Sequence, residues 1–418
     1  MLSIFSSSGS SVPTCMYYRV QLPLRKLRDD GHSVLHMLED SSETMLVPAT
    51  FASDVTWLYL PSHIDKWHQI ATSARKISPV ETHVGVRYPP IYVWDGDDNV
   101  NLVSPFNEAF HRLGTRNMDG TRLQPGDNIE TIDGDGNKII MWEDLVTASS
   151  DGEVFNIERN QKVEAYRNAF IKNCEGATAV SPYLASYYRD GLGQKNVHVF
   201  PNTIIPEDYQ FNIKTVRTDS PDTVRILWQG GQSHLVDWLP LKDAVAATAK
   251  KYPNTKWIFM GLKLPFIMDV IPPAQVEFIP WEHHDAYKLR RTLLNIDINL
   301  CPLLDNPFNR CKSAIKWYES VVTDSPEVTL AQNTGPYHEI KDGETGLLFN
   351  NAEEFAQKLA LLIEDAELRK RLGSNAKDWV WNNRLPQHTI PGLVDFFEDL
   401  KSQQRARLNP KIIVGGTS

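Results

Sequence analysis

Two lysines and a glutamate are spaced at helical intervals directly after a short apolar segment. The segment NIDINLCP, residues 295–302, predicts a buried strand, and DNPFNRCKSAIKWYE, residues 305–319, predicts the helix that follows it. In a helix running from Lys312, the side chains of Lys316 and Glu319 lie on the same face. Neighbouring ammonium groups repel each other by roughly 0.2–0.5 kcal/mol unless an anion lies between them. The spacing therefore predicts a binding site for a phosphate dianion.

The predicted start of this helix favours the same ligand. Asn306 or Asn309 can cap the helix, and Pro307 suits its first turn. A helix N-terminus presents free N–H groups and about half a positive charge, which together attract phosphate. For an isolated helix, a plain solvated charged face explains the same residues. Cys311 belongs to a neighbouring apolar stripe that would pack on a sheet.

Three aspartates follow another apolar strand, IYVW, at residues 91–94. Asp95, Asp97 and Asp98 stand at the carboxyl end of that strand, where carboxylates are costly unless they face a cleft, bind a cation or meet donors. The alternative is a solvated acidic turn. A calcium loop fits poorly, because Val100 stands where such a loop needs glycine.

The composition is that of a globular chain with room for two domains. It has 418 residues, of which 41% are hydrophobic and 23% charged, and a formal net charge of −9. This charge argues against non-specific coating of nucleic acid or anionic membranes, but not against a local basic cleft. Four cysteines without a CxxC pair argue against a zinc or disulfide framework and indicate a cytoplasmic setting. No apolar run reaches the ~18 residues of a membrane span, and the first residues predict a strand rather than a signal peptide.

Strand and helix patterns alternate along the chain in two series. The opening strand, a Ser/Gly loop, a helix at 17–28 and a strand at 33–37 form a βαβ unit, in which the loop containing Gly9 is placed to meet a ligand. Gly9 alone is a weak phosphate signal, and a plain turn explains it equally well. Because GxGxxG is absent, no dinucleotide cofactor is predicted. The second series begins at Val224, after an aperiodic linker over 206–222.

One stretch departs from this alternation. Residues from about 113 to 158 are rich in Gly, Asp, Asn and Thr, and strands at 129–132 and 138–142 flank the turn DGDGN in a β-hairpin pattern. Lys138 spoils a calcium pattern here as well. We interpret the stretch as an insertion in the first domain; an insertion on the ligand face of a domain often shapes what that domain binds.

Several motifs in the same order resemble the group-1 glycosyltransferases, in particular retaining family 4. The motifs are the Ser/Gly loop with YYRVQLPLRKLRDDGHSV, the segments TAVSPYLASYY and VHVFPN, the sequence WQGGQSH, and the pair KSAIKWYE and DGETGLLF. The likeness spans nearly the whole chain apart from the insertion. It implies the GT-B fold, an α/β architecture of two facing Rossmann-like domains with an inter-domain cleft. WDGDDN and DNPFNRCKSAIKWYE look more like a bacteriophage-associated branch.

The resemblance also implies domain boundaries. Residues 1–205 would form the acceptor domain, completed by a C-terminal helix within 387–418, and residues 206–386 would form the domain that binds the nucleotide sugar. Either a monomer or a homodimer is compatible with the sequence. The expected location is the cytoplasm, which would be that of the host if the chain is viral.

In such enzymes the second domain holds a nucleotide-activated sugar, and UDP-glucose is the default donor that the family implies. By this resemblance Glu319 accepts hydrogen bonds from the ribose hydroxyls, while Lys312 and Ser313 hold the diphosphate. Gly230 and Gly231 let the backbone approach the phosphates. The remaining donor-site candidates are Gly9, His234 at the phosphates or the sugar, Trp281 on the nucleobase, Asn309 and Lys316. Ordinary packing for Trp281 and a polar helix start for His234 are the alternatives. No metal is predicted, because lysines and a helix terminus serve the diphosphate.

The sequence departs from the family at one important position. The common pattern is Glu-x7-Glu, and Cys311 stands eight residues before Glu319. The acidic residue that normally contacts the transferred sugar is therefore absent, and Asn309 and Asp305 are the candidates to replace it. Retention of the anomeric configuration is correspondingly less secure. A Cys311 nucleophile is conceivable, but a packed thiol fits the apolar stripe better.

The acceptor side is less determined. Asp95, Asp97 or Asp98 falls where the family places a polar residue near the acceptor, and a carboxylate there can act as a general base. The phage-like branch implies a hydroxymethylated pyrimidine in DNA as acceptor, with basic residues of the insertion facing phosphate. Those basic residues are Arg112, Arg116, Arg122 and Lys138. Lipid, glycan and protein acceptors stay open, as do a sugar-nucleotide epimerase or hydrolase and a binding protein without turnover.

Overall fold

The computed structural model describes most of the chain. The described residues are 1–9, 13–83, 85–107, 109–132, 138–141, 155–211, 217, 219–323 and 327–409. They group into two compact units, each treated separately below. Unit 1 comprises Met1–Asp98, Glu164–Thr203 and Pro386–Ser418, and unit 2 comprises Asn99–Val163 and Ile204–Leu385. Within the described ranges, no helix is both long enough and apolar enough to cross a membrane.

Unit 1 is built on one parallel sheet of six strands, with a small antiparallel hairpin beside it. The sheet strands are β1 (Ser3–Ser8), β2 (Ser33–Leu38), β3 (Val55–Tyr59), β6 (Ile91–Gly96), β9 (Gly176–Ala179) and β10 (Val197–Val199), and the hairpin strands are β4 (Val80–Thr82) and β5 (Gly85–Arg87). Their order across the sheet is β10-β9-β6-β3-β1-β2. Strands β3 and β6 are buried along their whole length, so they read as continuous apolar runs, as central parallel strands do.

Two helices of unit 1 begin at a capping serine, Ser42 or Ser181. The helices of this unit are α1 (Pro13–Met16), α2 (Leu22–Asp29), α3 (Glu43–Phe51), α4 (Ile64–Arg75), α6 (Ile157–Asn173, from Glu164 onward), α7 (Pro182–Ser186) and α15 (Pro386–Leu408), with π-helical turns at Tyr17–Gln21 and Tyr187–Gly191. Ser181 accepts a hydrogen bond from the Leu184 N–H and precedes Pro182, the Ser-Pro start that favours a helix. Phe397 and Leu400 of α15 pack into the apolar cluster that contains Trp57 of the sheet.

The carboxyl ends of the central strands of unit 1 gather at one edge of the sheet. Because the strands are parallel, Ser8, Tyr59 and Asp95 pair in register across β1, β3 and β6. Asp97 and Asp98 follow directly after this edge. Ligands of open parallel sheets bind at such edges, so the geometry gathers these candidates where a site is expected.

Unit 2 has a second parallel sheet of six strands and the hairpin of the insertion. The sheet strands are β11 (Val224–Gly230), β12 (Thr255–Gly261), β13 (Val276–Pro280), β14 (Ile298–Cys301), β15 (Val328–Gln332) and β16 (Leu347–Phe349), and the hairpin strands are β7 (Ile129–Ile132) and β8 (Lys138–Met141). Their order across the sheet is β13-β12-β11-β14-β15-β16. Gly230, Gly261 and Pro280 pair in register, so they end three adjacent strands at one edge.

Helices cover this sheet and close its core. They are α5 (Phe110–Leu113), α8 (Lys242–Lys251), α9 (Pro265–Met268), α10 (His284–Leu293), α11 (Pro307–Arg310), α12 (Ile315–Glu319), α13 (Ala352–Glu364) and α14 (Ala366–Asn383), with 3₁₀ turns at Pro206–Tyr209, Gln232–Leu241, Pro273–Gln275 and Gly335–Glu339. The core holds two mutually packed tryptophans, Trp228 and Trp238, whose ring centroids lie 5.8 Å apart. The side chains of Phe355 and Leu359 from α13 close it from the other side.

The insertion packs differently from the sequence interpretation. Residues 99–163 belong to unit 2 rather than to unit 1, the unit that corresponds to the predicted first domain. The physical reason is an apolar cluster in which Phe308 of unit 2 joins Val103, Phe110 and Phe155. The predicted hairpin forms, with Ile129 paired to Met141. Its turn at 133–137 and the rest of the insertion at 142–154 lie outside the described residues.

The predicted single helix over the lysines is split in two. Helix α11 spans Pro307–Arg310, α12 spans Ile315–Glu319, and Lys312 lies in the link between them. The Ser313 hydroxyl accepts a hydrogen bond from the Ile315 N–H, a local contact that competes with continuous helix. The prediction of one helix face shared by Lys312, Lys316 and Glu319 is therefore wrong. A five-residue α12 also offers no substantial N-terminal dipole to an anion.

Candidate functional site

The edge of the unit 2 sheet exposes backbone at its central strands. Gly261 has a φ of +102°, and an added Cβ would lie 2.6 Å from the carbonyl oxygen of Gly230, so only glycine fits there. An added Cβ on Gly230 would itself lie 2.6 Å from the Trp228 ring, whereas Gly231 has open space around it. Gly231 therefore has room for a ligand close to the main chain, and its role at the phosphates stays a prediction. Gly261 was not predicted, although its strand ends in glycine just as β11 does.

Trp281 lies beside these glycines and exposes its ring. It follows β13 directly, its side chain is 61% exposed, and its Cε3 atom is 3.5 Å from the position of a Cβ on Gly261. An aromatic face this exposed gains little from packing within the protein. It is a suitable surface for a flat heteroaromatic ring, which fits the stacking role given to Trp281 in the sequence analysis.

The two lysines reach the same region despite the break in the helix. Lys312 is buried and its Nζ lies 4.6 Å from the centroid of the Phe308 ring, while the Lys316 Nζ lies 5.8 Å from that of Trp228. The Lys316 Nζ is buried and makes no hydrogen bond to any described residue. Burial, aided by the nearby Lys312 ammonium, lowers the pKa of Lys316 to about 8. A buried ammonium without an acceptor is costly, and an anion would relieve that cost.

A histidine–aspartate pair adjoins the lysines. The His234 Nδ1 lies 2.8 Å from the Asp237 Oδ2. Burial and the charges of Lys316 and Lys312 lower the pKa of His234 well below its usual value. Burial raises the pKa of Asp237 to about 7, against the opposing effects of the Leu304 N–H and the two lysines. Asp237 is not among the residues predicted from the sequence, although its i, i+3 spacing from His234 was a usable signal.

Asn309 holds this pair in place. Its Nδ2 donates to the Asp237 Oδ1 at 2.9 Å and to the carbonyl oxygen of Leu304 at 3.0 Å. The Leu304 N–H also donates to the Asp237 Oδ1, at 2.8 Å. Asn306, rather than Asn309, caps α11, accepting the Asn309 N–H at 2.8 Å. Asn309 is therefore joined to the predicted donor residues through Asp237.

Glu319 is occupied by groups of the protein itself. The carboxylate is buried and accepts hydrogen bonds from the Tyr209 hydroxyl at 3.0 Å and from Gln229 and the Tyr287 hydroxyl at 2.8 Å each. At least three of its roughly four lone-pair positions are thus used. The ribose role stays a prediction, and a ribose bound there would have to share or replace these donors. Tyr209, Gln229 and Tyr287 are too far apart in sequence for the analysis to have grouped them.

The residues around the missing first acidic position have structural partners. Cys311 is buried, and its Sγ accepts a contact of 3.7 Å from the Asn99 amide, as a packed thiol does. Asp305 forms an ion pair with Arg310 and accepts a hydrogen bond of 2.6 Å from Thr334. The Arg310 hydrogen bond lowers the pKa of Asp305 to about 2. Asp305 is therefore an anion whose carboxylate is already paired with Arg310 and Thr334.

In unit 1, Asp95 is an internal ion-pair partner rather than an open base. It is fully buried, with both oxygens on the Arg19 guanidinium and one also accepting the Thr178 hydroxyl at 2.6 Å. Arg19 donates further to the Phe200 carbonyl oxygen at 2.6 Å and to Asn202 at 3.1 Å. This network fixes the edge of the sheet and engages both oxygens of Asp95 inside the protein.

Asp97 is the better placed of the three aspartates. It is half-buried and hydrogen-bonded to the hydroxyl of Tyr59 and to the thiol of Cys15. Burial, together with the neighbouring Asp98 carboxylate, raises the pKa of Asp97 to about 6. A carboxyl group that titrates near neutrality has the proton affinity that general base catalysis needs. Asp98, also half-buried, supplies part of the field that produces this shift.

Gly9 has a packing reason of its own. An added Cβ would lie 2.5 Å from the Ser62 backbone nitrogen and 2.6 Å from the Glu39 Oε2. Glu39 is buried and accepts hydrogen bonds from Ser62, from the His63 N–H and from Trp67. The turn at Gly9 is thus tight because it packs on Ser62, which favours the plain-turn alternative.

No protein-family model matches the chain, and no curated protein sequence matches it. Solved structures do match, over nearly its whole length and in both parallel sheets, which confirms the predicted fold class, GT-B. One is sucrose-phosphate synthase from Thermosynechococcus elongatus, with a TM-score of 0.58, 10% identity, and coverage of 96% of this chain and 100% of that one. Anabaena HepE in complex with UDP has a TM-score of 0.56 and 13% identity, covering 95% and 100%. The OtsA apo structure has a TM-score of 0.55 and 9% identity, covering 97% and 99%.

Proposed function

We propose that the protein is a glycosyltransferase that takes a sugar from a nucleotide-sugar donor, with UDP-glucose as the first donor to test. The observation that supports this most is the buried Lys316 ammonium, which lacks a hydrogen-bond acceptor among the described residues and lies near Lys312 and His234. It stands close to strand ends that expose backbone at Gly231. The shared fold adds support, because the matching HepE structures contain UDP or UDP-glucose.

Unit 2 would bind the donor through its charges and its exposed ring. Lys312 and Lys316 would pair with the diphosphate, and their charges would stabilise the nucleoside diphosphate as it leaves the sugar. Trp281 would stack on the nucleobase, while the open space at Gly231 would admit the phosphates close to the main chain. We expect this site to work without a divalent metal, because two ammonium groups already oppose the diphosphate charge. Undiminished turnover in EDTA is the expected result.

Binding measurements separate a phosphate site from a general nucleoside site. Calorimetric titration with UDP-glucose, UDP and uridine should give tight binding of the first two and about 100-fold weaker binding of uridine, since charge-assisted hydrogen bonds to phosphate are the strong ones. If uridine bound as tightly as UDP, the site would not recognise the diphosphate, which would contradict the proposal. Conversion of UDP-glucose without any acceptor, to free glucose or to an epimer, would identify the hydrolase or epimerase alternative.

Asp97 in unit 1 is the proposed general base for the acceptor hydroxyl. A base acts only when ionised, so turnover should fall about tenfold per pH unit below about pH 6, the pKa of Asp97. Asp97→Asn should lower kcat by about 100-fold and remove this acid limb. Asp98→Asn should retain turnover but move the limb to lower pH, because it removes a neighbouring negative charge. An unchanged acid limb in Asp97→Asn would assign it to another group.

For the acceptor we keep the hydroxymethylated pyrimidine of DNA as the first class to test. Arg112 and Arg122 on the insertion are exposed, and Arg116 is half-buried beside them in a backbone bridge to Arg122. Such side chains can contact phosphates without reading sequence. The screen offers DNA containing hydroxymethylcytosine or hydroxymethyluracil, unmodified DNA, glycans, lipids and peptides, and measures release of UDP. Transfer to a non-DNA acceptor alone would overturn this choice while leaving the donor proposal intact.

A further inference from the structure

His234 and Asp237 are two ionisable side chains in contact with each other and close to the two lysines. The donor site proposed above assigns them no role. The Asp237 carboxylate is oriented by the Leu304 N–H and the Asn309 amide, and it holds the imidazole through Nδ1. The other ring nitrogen, Nε2, therefore points away from Asp237. At neutral pH the imidazole carries no charge, because burial and two nearby ammonium groups oppose its protonation.

This arrangement is at odds with a bound phosphate unless a proton is added. When Asp237 is ionised it can only accept, so a neutral imidazole donates to it from Nδ1 and has only a lone pair at Nε2. That lone pair repels the lone pairs of an approaching phosphate oxygen. A diphosphate also neutralises the lysine charges that keep the imidazole uncharged. Both effects act in the same direction, so the anion favours an imidazolium that is stabilised by the Asp237 carboxylate.

We propose that the His234–Asp237 pair takes up a proton from solvent when the diphosphate of a sugar nucleotide binds at Lys312 and Lys316, which makes donor binding proton-linked. This inference rests on the proposed donor site. The only bond formed is the one that holds the added proton on the His234–Asp237 pair. This proton comes from solvent when the ligand binds and returns to solvent when the ligand dissociates. Affinity should accordingly rise as the pH falls, by at most about tenfold per pH unit for one proton.

The neighbouring titratable groups with shifted pKa values should not account for proton uptake on ligand binding near pH 7. Cys301 and Tyr337 stay neutral there, because burial raises the pKa of Cys301 to about 11 and that of Tyr337 well above its usual value. Lys316 is mostly protonated at pH 7, since its pKa is about 8, and it contributes mainly above that pH. The remaining charged side chains that act on Lys316 are Lys312 and Glu319.

The test is calorimetry of UDP-glucose binding near pH 7 in buffers with different ionisation enthalpies. UDP-glucose is chosen because its phosphates are diesters without an ionisation near neutrality, so any proton uptake belongs to the protein. The dependence of the binding enthalpy on buffer enthalpy gives the number of protons taken up. We expect about 0.5 proton per ligand at pH 7 for the unaltered protein, because Asp237, with a pKa of about 7, is already about half protonated before the ligand binds.

Two variants and a control assign the proton. His234→Gln should bind more weakly and take up about 0.2 proton or less, and Asp237→Asn, which keeps an oxygen to accept the Leu304 N–H, should reduce the uptake similarly. His388→Gln, at an exposed histidine of α15, should leave the uptake unchanged. A purely structural role for Asp237 would weaken binding without altering the proton count.

The outcomes separate the two proposals. Binding of UDP-glucose without proton uptake, or uptake that persists in His234→Gln, would overturn the linkage and leave the donor site standing. Absence of any binding by UDP-glucose, ADP-glucose and GDP-glucose would overturn the donor site and the linkage with it. Circular dichroism of each variant confirms that a loss does not come from unfolding.

Discussion

Each unit has a buried charged side chain near the carboxyl edge of its sheet, but the two side chains differ in whether the protein itself supplies their hydrogen-bond partners. In unit 1 the Asp95 carboxylate meets Arg19 and Thr178, so its partners are all inside the protein. In unit 2 the Lys316 ammonium is buried without an acceptor among the described residues. A charge that is satisfied within the chain holds the fold together. One that is left unsatisfied is a place where a ligand of opposite charge is expected.

The largest effect should come from breaking the internal pair of unit 1. Asp95→Asn leaves the buried Arg19 guanidinium without its counter-ion, and loss of one partner of a buried pair costs about 3–5 kcal/mol in the free energy of unfolding. Urea denaturation measures this cost. Asp30→Asn, which breaks the partly exposed pair with Lys26, is the matched control and should cost about 0–1 kcal/mol. Similar costs for the two variants would contradict the distinction between the edges.

Lys316→Met should have the opposite profile. Loss of its ammonium should weaken UDP-glucose binding by about 2–3 kcal/mol, while the free energy of unfolding should not fall, because no hydrogen bond to a described residue is lost. Lys251→Met, at a side chain that is 66% exposed, serves as the control and should change neither quantity. A Lys316→Met protein that binds donor normally but unfolds more easily would mean that this lysine serves the fold.

Trp281→Ala tests the exposed ring beside Gly261. Loss of stacking on the nucleobase should weaken UDP-glucose binding by about 1–2 kcal/mol. Because the side chain is 61% exposed, the melting temperature should hardly change. Calorimetry and thermal denaturation measure the two quantities. Unaltered affinity together with lower stability would restore the packing alternative for this tryptophan.

Cys311→Ala should have the smallest effect on turnover. The thiol is buried and contacts Asn99, so its removal should cost about 1 kcal/mol of stability and change kcat by less than about threefold. Steady-state kinetics with any acceptor found in the screen measures the rate. A loss of several orders of magnitude in kcat would instead identify Cys311 as a covalent nucleophile.

The sequence predicts this fold well because its signals are local. Apolar runs such as IYVW, Ser-Pro helix starts and glycines at strand ends each act over a few residues, and they correctly predict two parallel sheets. The candidate residues Lys312, Lys316 and His234 also come together as predicted, although the helix meant to align the lysines is split. At the break in the helix, the Ser313 hydroxyl accepts the hydrogen bond of the Ile315 N–H.

Hydrogen-bond partners that are far apart in the sequence could not be predicted from such local signals. Arg19 lies 76 residues from Asp95, and Tyr209 lies 110 residues from Glu319, so no spacing rule connects them. For that reason Asp95 and Glu319 read as available carboxylates when the fold already engages both. The insertion was assigned by position along the chain, whereas its packing is decided by the apolar cluster around Phe308.

The anchoring of Phe308 has a practical consequence. This ring is held in the insertion cluster, and it supports the Lys312 ammonium at 4.6 Å from its centroid. The side chains around that ammonium group therefore come from two separate stretches of the chain, one within residues 99–163 and one around Phe308. If the proposed donor site is right, shortening or replacing residues 99–163 should change affinity for the sugar nucleotide, because Phe308 packs against this segment and also lies next to Lys312.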